Sequence, residues 1–236
     1  MKSLKNWDNK TWLSSKNYIN SFNSFILKNT KLNKNSKILD IGCGRGKIIG
    51  NLSSRLNLAN KPIGVDIENH KDRSKKILYK QTSGLLFISK TKITFDLILI
   101  KQTIHLLKKS QLKKFILLCK SKLNPNGKIL ILSLDPNKNE IPTFTLMHNK
   151  LKKSLRKDKQ IFDLIIGIFP NLLTKYFIFN VKIKKNKYLI MIRNRYISTL
   201  LGFTDKQIDN GLNEINDRYK KELIFKDRLI CFIIDK

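Results

Sequence analysis

The chain has 236 residues, 41% of them hydrophobic, and its 48 Lys and Arg outnumber 17 Asp and Glu, for a formal net charge of +31. This length provides the core of one α/β domain and leaves room for little more than a small lid. The longest apolar stretch, residues 161–181, contains Asp163, Pro170 and Lys175, so it favours a buried helix followed by a strand over a membrane span.

The positive charge has two explanations. It is typical of proteins that bind a polyanion such as RNA, and it is equally typical of a Lys- and Asn-rich product of an AT-rich genome. The lysines are spread over nearly every segment, and only eight residues are arginine, the better phosphate ligand. We therefore favour composition as the cause and expect at most weak, non-specific RNA binding.

The three cysteines, Cys43, Cys119 and Cys231, lie far apart and form no C-x-x-C pair. This spacing predicts neither a disulfide framework nor a metal site. The N-terminus also lacks the apolar segment of a signal peptide. We accordingly expect a cytoplasmic protein.

The N-terminal segment, residues 1–35, is polar but contains Trp7, Trp12 and Tyr18. Apolar residues at helical spacing predict a helix from Asn17 to Leu27. The aromatic side chains either close over a ligand or pack on the core.

The stretch from Lys37 to Gly46, KILDIGCGRG, predicts a buried strand, a tight glycine turn and the start of a helix. Such a unit binds a cofactor at the carboxyl end of its strand. The glycine spacing is G-x-G-x-G. A dinucleotide fingerprint would need a third glycine where Lys47 stands, and the phosphate-loop pattern is absent.

The following segments alternate between strand and helix patterns. Further strands are predicted at residues 62–67, 76–81, 95–100, 127–134, 176–183 and 228–234. Helices are predicted at residues 47–56, 110–122, 143–158 and 204–221, the last from a Thr204–Gln207 capping box. The helix at 143–158 carries a strongly basic face, which we interpret as solvated.

The motif at residues 38–46 resembles motif I of the class I S-adenosylmethionine-dependent methyltransferases at every position. The strand ending in Asp66, the strand at 95–100 and the segment from Leu123 to Leu132 resemble three further motifs of that family, in the right order and spacing over residues 36–135. The resemblance implies a single Rossmann-like α/β domain with a doubly wound, seven-stranded sheet. Its strand order would be 3-2-1-4-5-7-6, with strand 7 antiparallel.

Three parts of this domain are expected. Residues 1–35 form a helical lid segment, residues 36–135 the cofactor-binding half, and residues 136–236 the substrate half with a helical lid insertion. The resemblance also implies which residues bind S-adenosylmethionine. They are Asp40, Gly42, Cys43, Gly44, Gly46, Asp66, Ile67, Thr82 and Lys101.

Individual roles follow from the resemblance. Asp40 would position the methionyl end of the cofactor, Asp66 would accept hydrogen bonds from the ribose hydroxyls, and Ile67 would lie against adenine. Thr82 stands where the family usually has an aspartate that binds the adenine amino group, so this chain departs from the pattern there.

His105 is the candidate catalytic residue, because it follows the fourth strand and histidine exchanges protons near neutral pH. The alternative is a histidine that packs under Leu106 and Leu107. Trp12 and Tyr18 are candidate substrate contacts. So is Arg193, which either grips a substrate carboxylate or lies on the surface.

The predicted function is transfer of a methyl group to a small-molecule acceptor. The alternatives are an RNA methyltransferase and a protein that binds S-adenosylmethionine or S-adenosylhomocysteine without turnover. An NAD-dependent oxidoreductase is disfavoured by Lys47. The acceptor and the oligomeric state do not follow from the sequence.

Overall fold

The computed structural model describes residues 11–236, so Trp7 lies outside the described residues. Seven strands in this part of the chain form one sheet. They are β1 (Ile38–Ile41), β2 (Ile63–Asp66), β3 (Leu78–Gln81), β4 (Phe95–Lys101), β5 (Leu123–Leu134), β6 (Leu173–Lys184) and β7 (Glu222–Asp235). Their order is β3-β2-β1-β4-β5-β7-β6, with β7 antiparallel to both neighbours. The predicted strand order and the antiparallel seventh strand are confirmed.

Helices connect the strands and cover both faces of the sheet. They are α1 (Lys16–Asn29), α2 (Lys47–Leu56), α3 (Gly84–Lys90), α4 (Lys109–Ser121), α5 (Thr145–Ile168), α6 (Lys185–Arg193) and α7 (Asp205–Arg218). The predicted capping box at the start of α7 is present. Thr204 Oγ1 accepts from the Gln207 amide at 3.2 Å, and Gln207 Oε1 accepts from the Thr204 amide at 2.9 Å.

The parallel strands β1 and β4 are buried on both faces, as their continuous apolar runs predict. Alternate residues enter two separate hydrophobic clusters. Ile38 and Leu97 belong to the cluster on one face, and Leu39 and Ile98 to the cluster on the other. The carboxyl ends of these strands therefore meet at one edge, where the glycine turn follows β1.

The helix α5 is longer than the sequence predicts and belongs to both clusters. The predicted helix at 143–158 continues into the apolar stretch that follows it, giving one helix of 24 residues, about 36 Å long. Leu151 and Leu155 pack into the first cluster, whereas Ile161 and Ile165 pack into the second. The helix thus passes from one face of the sheet to the other, and its middle is available to line a site.

Two local features differ from the predicted pattern. The strand β5 begins at Leu123, four residues before the predicted strand at 127–134, and contains an irregularity, where the register with β4 shifts and Asn126 has a φ of 63°. Helix α6 follows β6 without a loop, and the sequence pattern does not predict it. No helix among residues 11–236 combines the length and hydrophobicity needed to cross a membrane.

Candidate functional site

The glycine turn after β1 is held against the neighbouring strand. The amides of Gly42 and Cys43 donate to the Val65 carbonyl at 2.7 and 3.1 Å. Gly42, Gly44 and Gly46 all have positive φ, at 75°, 53° and 65°. This left-handed backbone explains why glycine recurs at these positions.

The three glycines differ in what surrounds them. A Cβ at Gly42 would overlap the Thr103 side chain, and one at Gly46 would overlap Ile77. A Cβ at Gly44 would meet no atom within 4 Å. Gly42 and Gly46 are therefore required by packing, whereas Gly44 leaves open space at the turn.

Asp66, the last residue of β2, has both carboxylate oxygens engaged by backbone amides. Oδ2 accepts from the Gly44 amide at 2.8 Å, and Oδ1 accepts from the Glu68 amide at 3.0 Å. His70 Nε2 lies 3.9 Å from Oδ1. These contacts fix the carboxylate beside the glycine turn, where its remaining lone pairs are able to accept from ligand hydroxyls.

Beyond Asp66 the site offers an apolar surface and a hydroxyl. Ile67, the residue after the buried strand β2, is 64% exposed. The Thr82 amide donates to the Asp66 carbonyl at 2.9 Å, which places Thr82 next to Asp66. Ser83 caps α3 by accepting from the Leu86 amide at 3.3 Å, so its hydroxyl is engaged within the protein.

Asp40 lies on the floor of the site and is 3% exposed. Burial raises the pKa of its carboxyl to about 7; the positive charge of Lys101 opposes this shift and the charge of Asp66 adds to it. Lys101 Nζ donates to Gln102 Oε1 at 2.9 Å. A cation arriving beside Asp40 would favour the ionised form of this carboxyl.

A second buried carboxylate, Asp227 on β7, faces the same lysine. The Trp12 indole Nε1 donates to Asp227 Oδ2 at 2.9 Å. Burial raises the pKa of Asp227, and the Trp12 hydrogen bond and the charge of Lys101 act against that shift. Trp12 and Asp227 thereby join the N-terminal segment to the last strand at the edge of the site.

His105 lies in a short 3-10 turn (Ile104–Leu106) after β4 and is half-buried. Its Nδ1 is buried and has no hydrogen-bond partner among residues 11–236. Burial lowers the pKa of His105, and the charge of Asp158 on α5 acts against this shift. For the carboxyl of Asp158, burial acts in the other direction and raises the pKa. A neutral imidazole therefore faces the site at neutral pH, as a general base requires.

One cavity of about 880 Å³ unites these features at the carboxyl edge of the sheet. Of the thirteen residues that the sequence suggests for the site, ten line this cavity, and Gly46, Tyr18 and Arg193 do not. Gly46 lies behind the turn against Ile77. The cavity extends from the glycine turn and Ile67 at one end to His105 and the middle of α5 at the other.

Tyr18 and Arg193 are not brought into the cavity. Tyr18 is fully buried in the core, where it stacks on Phe22 at 6.2 Å between ring centroids. Arg193 ends α6 at the surface, 68% exposed and 3.3 Å from Asp209. The surface alternative for Arg193 is thus the one that the structure shows.

The sequence analysis missed Asp158 and Asp227, which both line the cavity. Each interrupts an apolar pattern at a position that ought to be buried. Asp158 follows Leu151 and Leu155 at helical spacing, and Asp227 follows Leu223 and Phe225 at strand spacing. An acidic residue at a position that the pattern predicts to be buried is the signal in the sequence that could have identified both as site residues.

Comparison with known proteins identifies relatives of this fold. A family model described as a methyltransferase domain matches residues 32–195. A search of curated proteins finds no significant match.

Several solved structures share the fold at low identity. A methyltransferase assigned to an antibiotic biosynthesis pathway of Anabaena variabilis is 16% identical with a TM-score of 0.64, over 89% of this chain and 96% of that one. The N-methyltransferase NodS of Bradyrhizobium japonicum, solved with S-adenosylhomocysteine, is 13% identical with a TM-score of 0.53, over 97% and 92%. The plantazolicin methyltransferase BpumL, solved with a monoazolic desmethylPZN analogue and S-adenosylhomocysteine, is 16% identical with a TM-score of 0.53, over 98% and 87%.

Proposed function

The chain belongs to the methyltransferase domain family, as a class I enzyme that uses S-adenosylmethionine, and we propose that its methyl acceptor is a small molecule bound beside His105. The observation that carries the proposal is the cavity itself. It joins the glycine turn to the acceptor side in one volume of about 880 Å³, at the upper end of the range typical of small-molecule sites.

The residues at the glycine end fit the cofactor. Gly44 leaves open space, Asp66 presents a fixed carboxylate for the ribose hydroxyls, and Ile67 offers an exposed apolar surface for adenine. Thr82 lies next to Asp66 and takes the place of the aspartate that the family usually has there. Asp40 and Lys101 lie on the floor below, with Asp40 suited to the cationic end of the ligand.

The cofactor supplies a methyl group on a positively charged sulfur, which is already a good leaving group. The protein therefore has to align the acceptor, exclude water and remove a proton where the acceptor carries one. The imidazole of His105 is the proton acceptor that we propose for this step, since His105 lines the acceptor end of the cavity and burial holds its pKa low. Leu151 and Leu155 shield this end of the cavity from one side.

The charges of the cavity favour a small molecule over RNA. Among residues 11–236, three lysines and arginines line it, namely Arg45, Lys47 and Lys101, whereas five acids do. A nucleic-acid acceptor would need cations at the entrance to its reacting atom. The net charge of +31 keeps an RNA acceptor as the second candidate, because exposed lysines occur over most of the surface.

Calorimetric titration tests the cofactor part of the proposal. S-adenosylmethionine and S-adenosylhomocysteine should bind to the purified protein, and NAD should not. Asp66→Asn should weaken both by tenfold or more, as expected when a charged hydrogen-bond acceptor is lost. Asp163→Asn, an exposed position on α5, is the matched control and should bind as the wild type does. Failure of both ligands to bind to folded protein would overturn the proposal.

A further inference from the structure

His105 and Asp158 face the acceptor end of the cavity from two different elements. The charge of each acts on the ionisation of the other. Within residues 11–236, however, no hydrogen bond or ion pair joins them, and Asp158 makes neither with any other described residue. An unpartnered base and an unpartnered acid therefore border the same space.

Three of the other four acids of the cavity lie beside groups that compensate their charge. Both oxygens of Asp66 accept backbone amides, Asp227 accepts from Trp12, and Asp40 lies near the positive charge of Lys101. Asp158 is 7% exposed, so its charge is costly unless a ligand compensates it. The acceptor end of the cavity thus lacks a positive charge that would compensate the carboxylate of Asp158.

The same compartment has no cation for an anionic acceptor among the described residues. Arg45 and Lys47 belong to the glycine turn and its helix, at the other end of the cavity. Lys101 donates to Gln102 and lies between Asp40 and Asp227. A carboxylate or phosphate next to Asp158 would meet a like charge and no counter-ion.

We infer that the acceptor is a small amine, held as its ammonium ion by Asp158 and deprotonated by His105. This inference rests on the proposed function. One N–H proton passes from the ammonium to the His105 imidazole, which leaves a neutral amine with a free electron pair. That pair forms the new N–CH₃ bond as the S–CH₃ bond breaks, and the sulfur keeps the electrons of the broken bond. The charge of the sulfonium moves to the methylated nitrogen, and the proton on His105 is released to solvent.

The test uses protein saturated with S-adenosylhomocysteine, so that failure of the cofactor site is detected before any acceptor is added. The probes come in sets of three that share one carbon skeleton and differ in the functional group, which is an amine, an alcohol or a carboxylate. The first set is benzylamine, benzyl alcohol and benzoate, and three further sets have phenethyl, cyclohexylmethyl and n-hexyl skeletons. Binding is measured by thermal shift and calorimetry. Methylation of the same probes with S-adenosylmethionine is measured by mass spectrometry.

We expect amines to bind and the matched alcohols and carboxylates to bind at least tenfold more weakly. Asp158→Asn should reduce amine affinity by tenfold or more and leave the affinity for S-adenosylhomocysteine unchanged. Asp163→Asn, five residues further along the same helix and exposed, should change neither. In turnover, Asp158→Asn should raise KM for the amine, whereas His105→Gln should lower kcat with little change in KM.

Three results would overturn the inference while leaving the cofactor site intact. The first is that alcohols or carboxylates bind better than their matched amines. The second is that amines bind equally well to wild type and Asp158→Asn. The third is that no amine of the set binds to protein shown to be saturated with S-adenosylhomocysteine.

Discussion

The Trp12 indole Nε1 lies 2.9 Å from Asp227 Oδ2, although the two residues are 215 positions apart in the sequence. This hydrogen bond closes the cavity wall between the N-terminal segment and β7. Asp227 is 1% exposed, so the indole supplies a partner that water does not replace.

Replacement of Trp12 by Phe should therefore destabilise the protein by more than the loss of one ordinary hydrogen bond. The buried Asp227 would lose its neutral donor, which costs about 1–3 kcal/mol in the free energy of unfolding. Urea denaturation measures this change. The double variant with Asp227→Asn should be destabilised by less than the sum of the two single variants. Strict additivity would show that the contact contributes nothing.

Substitutions at two glycines of the turn should distinguish an effect on stability from an effect on ligand binding. Gly42→Ala places a Cβ on the Thr103 side chain in a left-handed backbone, and should destabilise the fold by about 2–4 kcal/mol. Gly44→Ala meets no protein atom, so it should cost only about 1–2 kcal/mol in stability while it projects into the space proposed for the cofactor. Thermal unfolding and calorimetry with S-adenosylhomocysteine measure the two effects.

The control for both variants is Gly167→Ala near the end of α5, where a Cβ also meets nothing and φ is not positive. It should stabilise the protein slightly and leave the ligand affinity unchanged. If Gly44→Ala bound S-adenosylhomocysteine as tightly as this control, the cofactor would not approach the turn at Gly44.

The sheet and the cofactor end of the site could be predicted from the sequence because both depend on local patterns. Continuous apolar runs identify the parallel strands, and the glycine turn and Asp66 lie at fixed offsets from them. The backbone at Gly42 and Gly44 is left-handed, and the glycines at these positions indicate that conformation in the sequence. These features need no knowledge of which distant segments meet.

The acceptor end depends on contacts between distant segments, which local patterns do not specify. Asp158 and His105 line the same cavity only because α5 crosses the edge of the sheet, and Trp12 contacts Asp227 only because β7 inserts beside β5. The same reason explains why the sequence suggests Tyr18 as a substrate contact. Its local pattern leaves ligand contact and core packing open, and Phe177 on the distant strand β6 covers it in the structure, at 5.5 Å between ring centroids.

The buried Asp40 should make stability depend on pH. The pKa of its carboxyl is about 7 in the folded protein, against 3.8 for an unperturbed aspartate. The folded state therefore binds the proton more tightly, and ionisation destabilises it as pH rises from about 4 to about 7. The limiting slope is about 1.4 kcal/mol per pH unit.

Asp40→Asn removes this pH dependence. Relative to wild type, the variant should gain free energy of unfolding between pH 5 and pH 7 and then show a constant difference above about pH 8. Urea denaturation of both proteins without ligand, at intervals of half a pH unit, measures the difference. A difference that stays constant from pH 5 to pH 8 would show that Asp40 is ionised throughout.

RNA binding, driven by the net charge of +31, and ligand binding in the cavity should depend differently on the salt concentration. RNA binding should weaken steeply as salt rises from 50 to 300 mM, because each phosphate contact releases a counter-ion. Binding of S-adenosylhomocysteine should change much less, because a small ligand without phosphates does not release the counter-ions of a nucleic-acid backbone. Fluorescence anisotropy with a labelled single-stranded RNA, alongside calorimetry with S-adenosylhomocysteine, compares the two.

Paired lysine variants show whether the RNA affinity is localised. Lys152 and Lys153 belong to the exposed basic face of α5, and Lys113 and Lys114 are exposed on α4. If the charge reflects composition, replacing either pair by Gln should reduce the RNA affinity, and the slope of its salt dependence, by the same modest amount. A loss confined to the α5 pair would instead identify that helix as an RNA-binding face and make an RNA acceptor the leading candidate.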